Sequence, residues 1–247
     1  MNTAQSYTEF SPCNSVVCIS AIPVLKIFMT EDTGFAIKQP TILRVVAKIF
    51  SYVFHPLFIP TYIFIWLTIQ FPFEFAGMTP VILFLRKITV FWMTAFFPAF
   101  GVFLCWRLQF IENIFLRSQK ERIIPYVITM FFYWWMWYLA IRKFDDQPEV
   151  LKFFYLGIGL STVFGLVINN FYKISMHAMG VGGAIMFVIL TCFFYHIYLS
   201  IDVSLALIAG GIVCTSRLLL NEHGNREIYS GILVGVLCQA IAYAIMM

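Results

Sequence analysis

The sequence predicts an all-α, polytopic transmembrane bundle of six to seven helices, and composition and segmentation both point there. Of 247 residues, 61% are hydrophobic and only 11% charged. The mean hydropathy is +0.87. A water-soluble domain of this length needs far more charge to cover its surface. The apolar residues also fall into runs close to the roughly 20 residues that span a bilayer as helix, separated by short polar stretches. Aromatic residues reach 19%, with 28 Phe, which suits lipid-facing helices and interfacial belts. The formal charge of +4, without a basic run, gives no argument for a nucleic-acid partner.

Taken in order, residues 1–40 form a poorly defined leader. Val16–Phe28 is apolar but too short to span, and Pro23 and Lys26 interrupt it. It reads as a disordered leader; a degenerate signal peptide and a start at Met29 are the alternatives. Residues 41–247 read as a single helical domain without internal repeats. Its candidate spans are Lys48–Leu67, Ile88–Trp106, Ile124–Ile141, Phe153–Ile168, Ala178–Tyr198, Val203–Leu220 and Ile228–Met247. His55-Pro56 and Pro60 kink or break the first. The aromatic cluster Tyr133–Tyr138, just before Arg142 and Lys143, is an interface belt. Phe144–Lys152 is a polar turn. Cys13, Cys18, Cys105, Cys192, Cys214 and Cys238 show no Cys-x-x-Cys spacing, so neither a disulfide framework nor a zinc site follows.

Polar chemistry concentrates in three clusters. Arg117, Lys120, Glu121 and Arg122 precede the third span; Lys173, Ser175 and His177 precede the fifth; Ser216–Glu227 joins the last two. Read as a helix at about 100° per residue, Ser216, His223 and Glu227 share a stripe, with Arg217 about a quarter-turn away. Singly, each cluster also reads as an ordinary feature: a positive-inside loop, a helix cap with a structural His, a basic interfacial loop. Parity joins them. Two spans separate the first cluster from the second, and two more the second from the third. An even number of crossings returns the chain to the same face, so all three clusters meet on one side.

These residues resemble the signatures of the type 2 phosphatidic acid phosphatase superfamily, which shares its helical core with vanadium haloperoxidases. The family pattern Ser-Arg-x5-His-x3-Asp is matched by Ser216-Arg217, His223 and Glu227, with Glu in place of Asp. Pro-Ser-Gly-His is similar to Ile174-Ser175-Met176-His177, which keeps Ser and His. Lys-x6-Arg-Pro is degenerate: Arg122 is present, the Pro is displaced to Pro125, and Phe115 stands where the Lys belongs, with Lys120 or Arg117 as substitutes. The likeness runs from about Arg117 to the C-terminus.

The resemblance implies a haloperoxidase-like core and a phosphatase that needs no metal or other cofactor. His223 would be the nucleophile, Glu227 its orienting carboxylate, and His177 the acid that protonates the leaving alcohol. Lys120, Arg122, Ser175, Ser216 and Arg217 would bind substrate. The partner would be a lipid phosphate within the bilayer. The physics agrees, because clustered cations stabilise charge on a transferring phosphoryl group and a carboxylate holds an imidazole in one tautomer. Two other readings stand beside it: a catalytically weakened homologue that binds lipid phosphate, and a small helical transporter. Basic residues divide too evenly between the faces to orient the chain. The resemblance supplies an expectation instead, a bacterial inner membrane with the site facing the periplasm.

Overall fold

The computed structural model describes residues 40–111, 119–144 and 146–247, apart from the side chains of 119 and 120. The leader up to residue 39, Arg117, Asp145 and the Lys120 side chain lie outside the described residues. What is described belongs to one compact unit, Gly34–Met247. It is helical, with no strand among the described residues.

Among the described residues eight α-helices follow one another, with a 3-10 turn at Pro72–Phe75 between the second and third. They are α1 (Thr41–Val53), α2 (Ile59–Gln70), α3 (Pro80–Arg107), α4 (Gln119–Arg142), α5 (Glu149–Phe171), α6 (Met176–Tyr195), α7 (Ser200–Leu219) and α8 (Asn225–Met246). From α3 to α8, six are long and apolar enough to cross a membrane. The expected first span, Lys48–Leu67, is not one helix. It breaks at Phe54–Phe58 into α1 and α2: Pro56 removes a backbone donor and disfavours helical geometry at His55, while Pro60 is accommodated in the first turn of α2, where its missing donor costs nothing. Pro98 similarly disturbs α3, where Trp92–Phe96 widens into a π turn just before it.

Other boundaries follow local chemistry. Thr79 caps α3 by accepting from the amide of Ile82, with Pro80 in the first helical position. Helix α6 ends where His196 turns left-handed at φ 54°. Helix α5 runs past the expected end at Ile168 to Phe171, with Asn169 buried inside the bundle. The outer faces are apolar. On α8, Tyr229, Leu233, Leu237, Ile241 and Ile245 form an exposed stripe at four-residue spacing, as a lipid-facing helix requires.

The most extensive helix pairing joins α6 to α8, and glycines set its distance. A Cβ on Gly235 would stand 2.1 Å from the carbonyl oxygen of Met179, and one on Gly231 2.7 Å from that of Ser175. On the other helix, a Cβ on Gly182 would meet the Ile232 carbonyl at 2.6 Å. Small residues at such a seam let the two backbones touch. This contact brings the start of α6 beside the start of α8, where the polar residues lie.

Candidate functional site

The described residues of the three polar clusters meet at one end of the bundle, formed by the starts of α4, α6 and α8 and the end of α7. Main-chain and side-chain bonds tie these ends together. The amide of Ser175 donates to the carbonyl of Glu227 at 3.2 Å, and Arg122 Nη1 donates to the carbonyl of Ile174 at 3.1 Å. Lys173 Nζ donates to the carbonyl of Glu222 at 2.9 Å and lies 4.0 Å from the Glu227 carboxylate.

The stretch Ser216–Glu227 is not continuous helix, contrary to the stripe it suggests. Helix α7 stops at Leu219, Asn221 takes a left-handed conformation (φ 53°), and α8 begins at Asn225. His223 sits in the turn, and its Nδ1 lies 2.5 Å from Glu227 Oε2. A carboxylate oxygen only accepts, so the proton is on Nδ1 and the Nε2 lone pair is free. His223 is buried, and burial lowers its pKa below the ordinary 6.5. The Glu227 hydrogen bond opposes that shift, while the guanidinium groups of Arg122 and Arg217 add to it. A neutral imidazole with one committed nitrogen and one open one is the state in which histidine attacks an electrophile.

Arg217 is the hub of the cluster. Its Nη1 donates to Ser51 Oγ at 2.7 Å and its Nη2 to the carboxylate of Glu222, while its Nε is buried with no partner. Only 8% of Arg217 is exposed, so this orphaned donor is costly unless something binds there. His177 Nε2 lies 3.1 Å from the main-chain oxygen of Ser51. Its ring meets that of His55 edge-on, with centroids 5.1 Å apart.

The other expected site residues take more ordinary positions. Ser175 is fully buried and caps α6, its Oγ accepting from the amide of Ala178 at 3.4 Å. Ser216 donates to the carbonyl of Ile212 within its own helix at 2.7 Å. Its side chain lines an apolar groove between α1 and α7 with Leu43, Val46 and Phe50, and the structure does not bring its hydroxyl into the cluster. No group of three His, Cys, Asp or Glu side chains among the described residues is placed to share a metal ion.

Four residues without a role in the sequence reading belong to this end. Ser51 and His55 come from α1 and the break after it; Glu222 grips Arg217; Lys173 reaches Glu222 and Glu227. Burial, then the charge of Arg217, lowers the His55 pKa to about 4, so this imidazole is neutral at physiological pH. His55 and Pro56 were legible as a helix break, but no sequence signal places them against α6. The fold accommodates them at Gly180, where a Cβ would stand 2.9 Å from Ile59 Cδ1 and 3.4 Å from Pro56 Cβ.

Between the two ends, α6, α7 and α8 carry no charged side chain. No Asp, Glu, Lys or Arg lies in Ala178–Tyr195, Val203–Ser216 or Ile228–Met246. No protein-family model, curated protein or solved structure matches the chain.

Proposed function

We propose that this chain is a membrane-embedded lipid phosphatase that removes a phosphomonoester or terminal diphosphate group through a phosphohistidine intermediate. One observation carries the reading: a buried His223 with Nδ1 fixed by Glu227 and Nε2 open, beside a buried Arg217 whose Nε lacks a partner. In this mechanism Nε2 of His223 attacks phosphorus and the bond to the leaving oxygen breaks. His177, as the imidazolium, gives its proton to that oxygen. Water then attacks the phosphohistidine and gives a proton to His177, releasing inorganic phosphate and restoring the neutral His223 and the protonated His177. Arg122 and Arg217 hold the non-bridging oxygens, whose charge grows in the transition state. Glu227 stabilises the imidazolium-like His223 that forms on attack.

The substrate is an amphiphile because the cluster sits at the end of apolar helices: its tails stay in the bilayer while the headgroup reaches the polar edge. A transporter calls for ionisable groups along the spans, and the inner stretches Ala178–Tyr195, Val203–Ser216 and Ile228–Met246 hold no Asp, Glu, Lys, Arg or His. The haloperoxidase-like core and the placement of the site on the periplasmic side of a bacterial inner membrane belong to this proposal. A second reading, a lipid-phosphate binder that does not hydrolyse, draws on the His177 bond to Ser51, which occupies the proton needed for the leaving group.

Inorganic phosphate release by the purified chain decides between them. The panel comprises phosphatidic acid, phosphatidylglycerol phosphate, a polyprenyl diphosphate and a lipid A phosphate. The proposal expects release from at least one, inhibited by orthovanadate and unaffected by EDTA. Vanadate binding without release from any of them supports the binder instead, and loss of activity in EDTA contradicts the metal-free mechanism.

A further inference from the structure

The motifs that suggested a phosphate site lie from Arg117 onward, yet a helix well before them, α1, closes that site. Only two residues of α1, Ala47 and Ser51, are buried. Ser51 makes contacts with two other helices at once. Its hydroxyl accepts from Nη1 of Arg217 on α7 at 2.7 Å, and its carbonyl faces Nε2 of His177 on α6 at 3.1 Å. A carbonyl cannot donate, so in that bond the His177 proton is on Nε2. The chain that follows is locked down: Tyr133 Oη reaches the carbonyl of Pro56 at 3.5 Å, and Pro56 packs on Gly180 of α6.

An arginine that binds phosphate must present its fork in one orientation, because two parallel N–H donors match two oxygens only when the guanidinium plane is fixed. Arg217 has two restraints. Glu222 is half-exposed and carries a negative charge, so an incoming phosphoryl group competes with it for the same Nη2. Ser51 is neutral and buried and does not compete by charge. When an anion displaces Glu222, Ser51 keeps Nη1 in place, leaving Nη2 and the unpartnered Nε as the free edge of the fork.

We propose that Ser51 is a positioning residue of the anion site, which holds the Arg217 guanidinium in its phosphate-binding orientation from outside all three sequence signatures. This rests on reading the cluster as a phosphoryl site, but not on its turning over. The test uses the full-length chain in lipid nanodiscs with orthovanadate as the probe, binding being read from the rise in melting temperature. Ser51→Ala is expected to weaken vanadate binding by about tenfold, the scale of a hydrogen bond to a charged group. Ser51→Thr keeps the hydroxyl and is expected to stay within about threefold of the parent, a difference that lost packing does not produce. Vanadate affinity unchanged in Ser51→Ala, equal losses in the Ala and Thr variants, or no vanadate binding by the unsubstituted chain each overturn the inference. Binding that depends on the hydroxyl without phosphate release from any lipid phosphate leaves the inference standing and overturns the proposed hydrolysis.

Discussion

The two ends of the bundle treat charge differently. At the end opposite the cluster, several charged side chains have partners and none of these is fully buried. Arg86 bonds Asp146 at 2.9 Å and lies flat on the Phe144 ring, Lys152 pairs with Glu149, and Asp202 accepts from both Trp66 and Gln70. At the candidate site, two arginines and three imidazoles gather on a few helix ends, and Arg122, Arg217 and His223 are buried. Unsatisfied polar atoms alone do not separate the two ends, since the buried Gln147 amide and Tyr155 hydroxyl near Arg86 also lack partners. An orphaned guanidinium donor occurs at both ends, Arg86 Nη1 at one and Arg217 Nε at the other, so what separates them is the buried imidazole fixed by a carboxylate beside two buried arginines. Paired charge at one end stabilises the fold; concentrated, buried charge at the other costs stability, and the proposed function supplies a reason to keep it.

The largest effect that separates the ends is expected from His223→Ala. Removing the nucleophile lowers phosphate release about 10⁴-fold or more, while helicity and melting temperature stay near the parent values. Arg86→Ala is expected to do the reverse, lowering the melting temperature with turnover kept within a few-fold. If the two variants lose activity equally, the distinction between the ends fails.

Glu227→Gln comes next. The amide still accepts a hydrogen bond but no longer stabilises the imidazolium that forms, a loss approaching roughly 10³-fold in kcat. A change confined to KM would assign Glu227 to substrate binding instead. Arg217→Lys is expected to cost about 10- to 100-fold in kcat/KM, because a point charge cannot reproduce the planar grip.

The smallest effect is a pH dependence. In the proposed mechanism His223 must be neutral to attack, and burial holds its pKa below the ordinary 6.5, so the acid limb of turnover set by this group is expected to have its midpoint below pH 6.5. Stability follows the same sign. Unfolded histidine binds a proton near pH 6.5 and native His55 only near pH 4, so the unfolded state takes up more protons between these values and stability is lost as pH falls through that window. Melting temperatures of the parent and of His55→Gln measured from pH 7 to pH 4 check this. The variant is expected to give the shallower curve, and parallel curves would contradict the assignment.

Much of this contrast was legible in the sequence, because it depends on spacing and parity. Arg122, His177, Arg217 and His223 fall at ends of successive apolar runs, and counting crossings is enough to bring those ends together. The proline-marked break near His55 was equally legible. The partners across that break were not. Ser51 and His55 lie on a short helix and linker that hydropathy merges with α2, and neither belongs to a recognisable spacing. The register of α6 on α8 was invisible for another reason: it is set by Gly182, Gly231 and Gly235, whose role is to be absent as side chains, and hydropathy does not register an absence. The supposed stripe of Ser216, His223 and Glu227 failed because the left-handed turn at Asn221 breaks the helix. The His223–Glu227 pair survives the break, since Glu227 in the first turn of α8 reaches back to the turn before it.

The central claim is that His223 carries the phosphoryl group, and trapping that group tests it most directly. The purified chain is incubated with a ³²P-labelled lipid phosphate, quenched in alkali, where phosphohistidine survives, and digested for mapping. Label is expected on the peptide containing His223, none after His223→Ala, and accumulation when hydrolysis is slowed in His177→Ala with a substrate whose leaving group needs no proton. Phosphate release by a chain that never carries label, or label that persists in His223→Ala, would contradict it.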